Sequence, residues 1–283
     1  MKLSGSTKIV GLIGYPVEHS KSPLMHNAAF KSLRLDFIYL LFYVRPSYLK
    51  EAIMGLRALN VVGANVTIPY KEEVIKYLDE IAPEAKFIGA VNTIHNREGK
   101  LIGYNTDGQG FITSLLTDGK IKLEGQNVLL IGAGGAGKAV AVKLAERGVE
   151  RLVITDKIME RADALIERLR ENIPDCAVYA IHPGDKEFAK TVLESTLLIN
   201  ATPVGMKEGD PCVIDPKYLH KRLFIYDVIY NRETPLIEAA KKRGLRALGG
   251  MGMLIHQGAA SFEIWTGRKA PIEVMRKTIL QEL

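Results

Sequence analysis

The chain has 283 residues, about two domains at roughly 150 residues each. With 47% hydrophobic and 25% charged residues it matches a folded globular protein and excludes a disordered one, which could not bury enough apolar surface to offset its conformational entropy. Its 38 Lys and Arg against 32 Asp and Glu give a net charge of +6, but the cations are interspersed with acids, as in Lys71-Glu72-Glu73 and Glu167-Arg168-Leu169-Arg170-Glu171. That pattern reads as a solvated surface, so no nucleic-acid partner is expected, although a basic cleft for a small anion stays open.

Apolar runs such as Val128-Leu129-Leu130-Ile131 fall far short of the about 18 residues that cross a bilayer, so no membrane partner is expected. The opening MKLSGSTKIVGLIGYP has too short an apolar run for a secretory segment. Two cysteines, Cys176 and Cys212, make neither a disulfide framework nor a zinc cage. A reducing cytoplasm and no metal site are the expectation.

In chain order, Lys8 to Ile13, Asp36 to Val44 and Asn60 to Ile68 read as strands. Between the first two, Ser22-Pro23 opens a helix, serine as N-cap and proline at the first helical position. Leu24 and Ala28, like Met25 and Ala29, lie one turn apart on its buried side. Val91 to His95 and Leu101 to Tyr104 form a hairpin across Asn96-Arg97-Glu98-Gly99. From Asn127 onward the pattern becomes regular. Strands at Val128 to Ile131, Leu152 to Thr155, Val178 to Ile181, Leu197 to Asn200 and Leu223 to Val228 alternate with helices, which is the signature of βαβ units and a parallel sheet. A short strand at Arg246 to Leu248 follows, then two helices, Leu254 to Trp265 and Pro271 to Leu283, that fit packing back on the first half. The fold class is α/β.

Gly132-Ala133-Gly134-Gly135-Ala136-Gly137 sits between the strand Val128 to Ile131 and a helix running to Gly148. In that context Gly132 permits a tight turn, Gly134 lets backbone approach a pyrophosphate, and Gly137 lets helix and strand pack closely. Free amides at the helix start hold the anion. Lys138 makes the run resemble a P-loop, but Ala139 stands where a magnesium-binding hydroxyl is required. Asp156 ends the next strand about 20 residues on, where a carboxylate accepts hydrogen bonds from ribose hydroxyls and repels a 2′-phosphate. NAD is therefore favoured over NADP, with Lys157 and Arg161 close enough to blur the preference.

The first half carries a scatter of polar side chains. Ser20 and Ser22 lie in the strand-to-helix loop, Asn65 and Thr67 share a face at a strand end, and Lys71 follows Pro69. Asn92-Thr93 and Gly103-Tyr104-Asn105-Thr106-Asp107-Gly108 add donors and acceptors. Each alone is an ordinary turn or capping residue. Together they suit a cleft for a polyhydroxylated ligand, each hydroxyl of which needs fixed partners.

HSKSP with a following HN, then NVTIPYK, VNT, GYNTDG, GAGGAGKA, NATPVGM, YDVIYN and HQGAASFEIWTG, resembles the shikimate/quinate dehydrogenase family over nearly the whole chain. The resemblance implies a discontinuous architecture: residues 1–108 with 253–283 as the substrate-binding, catalytic α/β domain, and 109–252 as a doubly wound Rossmann-type NAD(P)-binding domain. It implies interconversion of shikimate and 3-dehydroshikimate by hydride transfer to NAD or NADP. Lys71 and Asp107 match the catalytic pair. Hydride leaves the carbinol carbon as a proton leaves its hydroxyl, so a group near that oxygen must trade a proton. Burial disfavours an ammonium's charge while a neighbouring carboxylate favours it, so which of the two is the formal base stays open. Ser20 and Ser22 match the hydroxyls that hold the substrate carboxylate. Asn65, Thr67, Asn92, Asp107 and Gln257 match contacts to ring hydroxyls, and Tyr230 a tyrosine near substrate and nicotinamide. Thr202, Val228, Gly250 and Met253 match positions lining the nicotinamide side.

One departure bears on the cofactor. Many members read Asn-Arg-Thr after the second Rossmann strand, where this chain reads Thr155-Asp156-Lys157. The acid points to NAD and raises a quinate dehydrogenase as the alternative, while the paired serines favour shikimate. A non-catalytic nucleotide-binding regulator is the alternative of another class, opposed by the intact Lys71 and Asp107. The sequence leaves the oligomeric state, a homodimer included, open.

Overall fold

A computed structural model describes residues 3–281. The chain divides into two compact units, one of residues up to Gly110 together with those from Leu254 onward, the other Phe111–Met253. In the first unit the elements are β1 (Lys8–Gly14), α1 (Ser22–Ser32), β2 (Phe37–Tyr43), α2 (Leu49–Ala58), β3 (Gly63–Val66), β4 (Glu80–Ile81), α3 (Pro83–Ile88), β5 (Thr93–Arg97), β6 (Lys100–Tyr104) and the start of α4 (Asp107–Thr117). The second has β7 (Asn127–Ile131), α5 (Gly135–Glu146), β8 (Arg151–Thr155), α6 (Met159–Asn172), β9 (Ala177–Ala180), α7 (Phe188–Glu194), β10 (Leu197–Asn200), β11 (Phe224–Asp227), α8 (Pro235–Lys242) and β12 (Ala247–Leu248). The chain ends in α9 (Met251–Thr266) and α10 (Ile272–Leu280).

The first sheet runs β2-β1-β3-β5-β6-β4. β1 pairs in parallel with β2 and β3, and the β5–β6 hairpin adds antiparallel strands beside β3. One face is sealed by α2 and the turn after Lys71, which close over Ile53, Leu56, Val66, Tyr70, Val74 and Ile94. The C-terminal helices return to this unit: α10 packs on α1, and the Trp265 indole N–H of α9 donates to the Ile94 carbonyl at 2.9 Å. Around that tryptophan lies an aromatic cluster in which His26 stacks on Tyr39 at 4.4 Å, with Phe30 and Phe262 alongside.

The second sheet runs β12-β11-β10-β7-β8-β9 and every pairing in it is parallel. Its strands are nearly continuous apolar runs because helices cover both faces. The chain moves outward from β7 in both directions, to β8 and to β10, so the switch point lies at the C-terminal ends of β7 and β10.

Three expectations are corrected. Leu24 is 41% exposed, so of the two pairs expected on the buried side of α1 only Met25 and Ala29 lie there. Ser22 is not the N-cap of α1: Lys21 holds that position without a side-chain cap, and Ser22 is the first helical residue, with Pro23 in the first turn. The strand expected from Asn60 to Ile68 shortens to β3, because α2 ends just before it and Pro69 follows a cis bond after Ile68. α2, α3 and β4 were not anticipated; the 6 and 2 residues of the last two are too short to show a period.

Candidate active site

In the first unit the polar side chains gather where β3, β5, β6, α4 and α9 meet. Tyr70 is buried and donates its hydroxyl to the Val44 carbonyl, and the Val91 N–H donates to the Lys71 carbonyl at 2.7 Å. These bonds fix the segment on both sides of the lysine side chain. Lys71 Nζ reaches Asp107 Oδ2 at 2.6 Å, the two side chains 16% and 6% exposed. Asp107 is the first residue of α4, where the positive end of the helix favours a carboxylate. Its own N–H donates to Asn105 Oδ1 at 3.0 Å, and Asn105 donates in turn to the Ala90 carbonyl.

The other carboxylate oxygen is also bound, since Asn92 Nδ2 donates to Asp107 Oδ1 at 2.9 Å. Asn92 Nδ2 further reaches Thr106 Oγ1 at 2.9 Å and Gln257 Oε1 at 3.4 Å, while Asn92 Oδ1 accepts from the Thr106 N–H and the Thr93 hydroxyl. Asn65 is embedded deeper. Its Nδ2 donates to the Asn92 carbonyl, Thr93 Oγ1 and Ser261 Oγ, and its Oδ1 accepts from the Tyr39 hydroxyl. Asn65 thus spends its whole amide inside the protein. Thr67 lies just past the end of β3 and is half-buried. Ser20 Oγ accepts from the Ser22 N–H at 3.2 Å, which brings the two serines together at the start of α1.

In the second unit Gly132 follows β7 with φ +106°, a conformation only glycine adopts without strain. A Cβ on Gly137 would collide with the Gly132 carbonyl, so glycine there lets α5 start directly against the loop. Gly134 caps α5 without a side chain, and no acid stands in the first turn. The leading N–H groups of Gly135 and Ala136 therefore form a helix start suited to a pyrophosphate. The glycine loop, the helix start and the switch point fit a dinucleotide.

Asp156, the expected ribose acceptor, already takes part in the loop that it follows. Its Oδ2 accepts from the Ala133 N–H at 2.7 Å and its Oδ1 from the Ile158 N–H at 2.8 Å. The carboxylate braces the glycine loop and the turn into α6. Lys157 and Arg161 follow it at the tip of β8 and in the first turn of α6.

Thr202, Val228 and Gly250 gather past the ends of β10, β11 and β12. Asn200 accepts from the Thr202 N–H and hydroxyl, the Val228 N–H donates to the Asn200 carbonyl, and the Gly250 N–H donates to the Ile229 carbonyl. Met253 is buried in α9 and Tyr230 is half-buried in the loop after β11. Beneath them Asp227 accepts from Thr234 Oγ1 at 2.7 Å, the Ile229 N–H and Asn200 Nδ2. Burial pushes its carboxyl above the usual range.

Several residues of these networks were not singled out from sequence. Ser261 lies one helical turn from Gln257 in α9, a spacing that could have drawn attention to it. Asn200 and Asp227 sat inside recognised motifs without a role. Tyr39 gave no signal, because a tyrosine in an apolar strand reads as core.

The fold and the glycine loop define the class: an α/β protein with a Rossmann-type dinucleotide-binding unit and a second unit carrying a polar net. Family models match three stretches of the chain, a shikimate dehydrogenase substrate-binding domain over residues 12–94, a shikimate/quinate 5-dehydrogenase domain over 115–183 and a shikimate 5′-dehydrogenase C-terminal domain over 250–280. A shikimate dehydrogenase (NADP+) of Methanopyrus kandleri is 43% identical, the match covering 100% of this chain and 98% of the relative. A crystal structure of a shikimate dehydrogenase in complex with NADP+ is 41% identical with a TM-score of 0.89, covering 99% of this chain and 97% of that one. A shikimate 5-dehydrogenase from Listeria monocytogenes in complex with shikimate and NAD is 36% identical with a TM-score of 0.88, covering 99% and 98%. The chain belongs to the shikimate dehydrogenase family of oxidoreductases.

Proposed function

We propose that the protein interconverts shikimate and 3-dehydroshikimate with NADP as the hydride partner. The observation that carries this reading is the Lys71–Asp107 pair, 2.6 Å apart and embedded in a net of amides and hydroxyls. When bound, the nicotinamide supplies the hydride acceptor. The proton of the reacting hydroxyl then passes to the Lys71–Asp107 pair, whose short contact keeps donor and acceptor aligned. Gln257 holds a neighbouring ring hydroxyl, Asn92, whose amide is engaged within the net, orients Asp107, Thr67 contributes its hydroxyl at the edge of the net, and Ser20 and Ser22 bind the substrate carboxylate. Asn65 acts indirectly, by orienting Thr93 and Ser261.

The cofactor reading moves from NAD to NADP. Both Asp156 oxygens accept from backbone N–H groups, which gives the carboxylate a loop-bracing role and weakens the inference from its position to NAD. The next residue, Lys157, and Arg161 then offer cations to a 2′-phosphate. Relatives named for NADP+ support the same choice. The free thiols Cys176 and Cys212 suit a reducing cytoplasm.

The test is turnover of shikimate by wild type against Lys71→Ala, with shikimate binding followed by calorimetry. Loss of turnover with binding retained supports the reading; near-normal turnover removes Lys71 from the chemistry.

A further inference from the structure

The Lys71–Asp107 pair is the end point of a buried series of hydrogen bonds that starts at Tyr39. The Tyr39 hydroxyl donates to Asn65 Oδ1 at 2.9 Å, and Asn65 Nδ2 donates to Thr93 Oγ1 at 3.0 Å. The Thr93 hydroxyl donates to Asn92 Oδ1 at 2.9 Å, and Asn92 Nδ2 donates to Asp107 Oδ1 at 2.9 Å. All five residues are buried. In a buried net each orientation matters, because a polar group turned away from its partner is costly there.

The direction of the series is set by groups that cannot reverse. The Asn92 backbone carbonyl only accepts, which turns the NH2 end of Asn65 toward it at 3.1 Å and leaves Oδ1 facing Tyr39. The Thr106 backbone N–H only donates, which turns Asn92 Oδ1 toward it at 2.8 Å. Asp107, ion-paired with Lys71, accepts from the other end of Asn92. Thr93 is the one hydroxyl that accepts from the first amide and donates to the second. Ser261 braces this link from α9: its hydroxyl accepts from Asn65 Nδ2 at 2.9 Å and, with the Thr93 proton on Asn92, donates to Thr93 Oγ1 at 2.8 Å. Tyr39 is held at the head of the series by the His26 ring stacked on it.

We propose that Thr93 and Tyr39 are positioning residues for the proposed reaction: through this one-way series they hold the Asp107 carboxylate with Oδ1 on Asn92 and Oδ2 free for Lys71. The inference rests on the Lys71–Asp107 reading of the active site. Neither residue needs to touch substrate. Loss of the middle link loosens the amide that orients the carboxylate, so the defect falls on the chemical step.

Thr93→Val keeps the shape and removes the hydroxyl. It is expected to lower kcat roughly tenfold with KM for shikimate within about threefold, because small misplacements of reacting groups act on the transition state. Thr93→Ser restores the hydroxyl and is expected to recover kcat to within about threefold. Tyr39→Phe removes one neutral hydrogen bond at the far end and is expected to lower kcat about threefold. The double variant Tyr39→Phe/Thr93→Val falls no further than Thr93→Val, since both interrupt one series. A kcat unchanged in Thr93→Val, a loss confined to KM, or multiplicative losses in the double variant would overturn the proposal.

A second readout is independent of turnover and of the folding of Thr93→Val. In Tyr39→Phe, the side-chain amide resonances of Asn92 are expected to shift in a 1H–15N spectrum although Tyr39 makes no direct bond to Asn92. Unshifted Asn92 resonances contradict the series. If wild type fails to oxidise shikimate, the functional reading falls, while this spectrum still decides whether the series exists.

Discussion

In the first unit Asn65, Asn92, Thr93, Thr106, Asp107 and Ser261 hold one another side chain to side chain, and the pair that faces the proposed chemistry is the end of that net. In the second unit the corresponding work falls to the main chain: a glycine turn, a helix start with no side-chain cap, and a carboxylate that accepts from two backbone N–H groups. The contrast follows from what each unit is proposed to hold. A polyhydroxylated acid offers many weak, directional groups, each needing its own fixed donor or acceptor, whereas a pyrophosphate asks for closely approaching N–H groups at a positive helix end. The first kind of site fails when one polar side chain is lost, and the second when a Cβ is gained.

The largest effect is expected at the end of the side-chain net. Lys71→Ala should lower kcat about a thousandfold, within the range for general acid–base groups, and cost about 3 kcal/mol of stability by leaving the buried Asp107 carboxylate without its cation. Steady-state kinetics and denaturant unfolding check both. Next comes the main-chain site. Gly137→Ala drives a Cβ onto the Gly132 carbonyl, which should weaken cofactor binding more than tenfold and cost about 1–3 kcal/mol, as overpacking does, while shikimate binding by calorimetry stays unchanged. Equal weakening of both ligands would erase the distinction between the two units.

The third pair separates bracing from recognition. Lys157→Ala should cut affinity for NADP about tenfold and leave NAD within about twofold, the loss of one charged contact to phosphate. Asp156→Ala should instead weaken both cofactors together, because it releases the Ala133 and Ile158 N–H groups. A selective gain of NADP over NAD in Asp156→Ala would return the carboxylate to the role first expected of it.

The smallest effect on turnover is expected at His26, which is fully buried with neither ring nitrogen hydrogen-bonded. Burial pulls its pKa from 6.5 down to about 3, so between those values the unfolded chain binds a proton the folded chain does not. Its contribution to stability is complete above pH 6.5 and is lost as pH falls toward 3. His26→Phe keeps the stack on Tyr39 and should flatten the fall of Tm with acid across that window, with kcat within about twofold at neutral pH. A Tm profile as steep as that of wild type would assign the acid sensitivity to other groups.

Much of this was legible in the sequence, and unevenly so. The second unit announced itself because parallel strands are continuous apolar runs and the glycine loop needs a particular residue at each turn. Lys71 and Asp107 were legible as the pair of a resembling motif, but the bonds that brace them were not, since Asn92 and Asp107 lie 15 positions apart and Asn65 and Ser261 lie 196 apart. Ser22 was misplaced as a cap because Ser-Pro reads as N-cap and first helical residue, while the helix begins one residue earlier. Asp156 has a second role that its position did not announce: a carboxylate there also lies within reach of the glycine-loop amide, and it braces that loop.

The central claim is most directly tested by kcat/KM for shikimate and for quinate, each with NADP and with NAD. The highest value is predicted for shikimate with NADP. A maximum for quinate with NAD would contradict the substrate and cofactor reading together, and silence in all four combinations would make the protein a nucleotide-binding member of the family without the reaction.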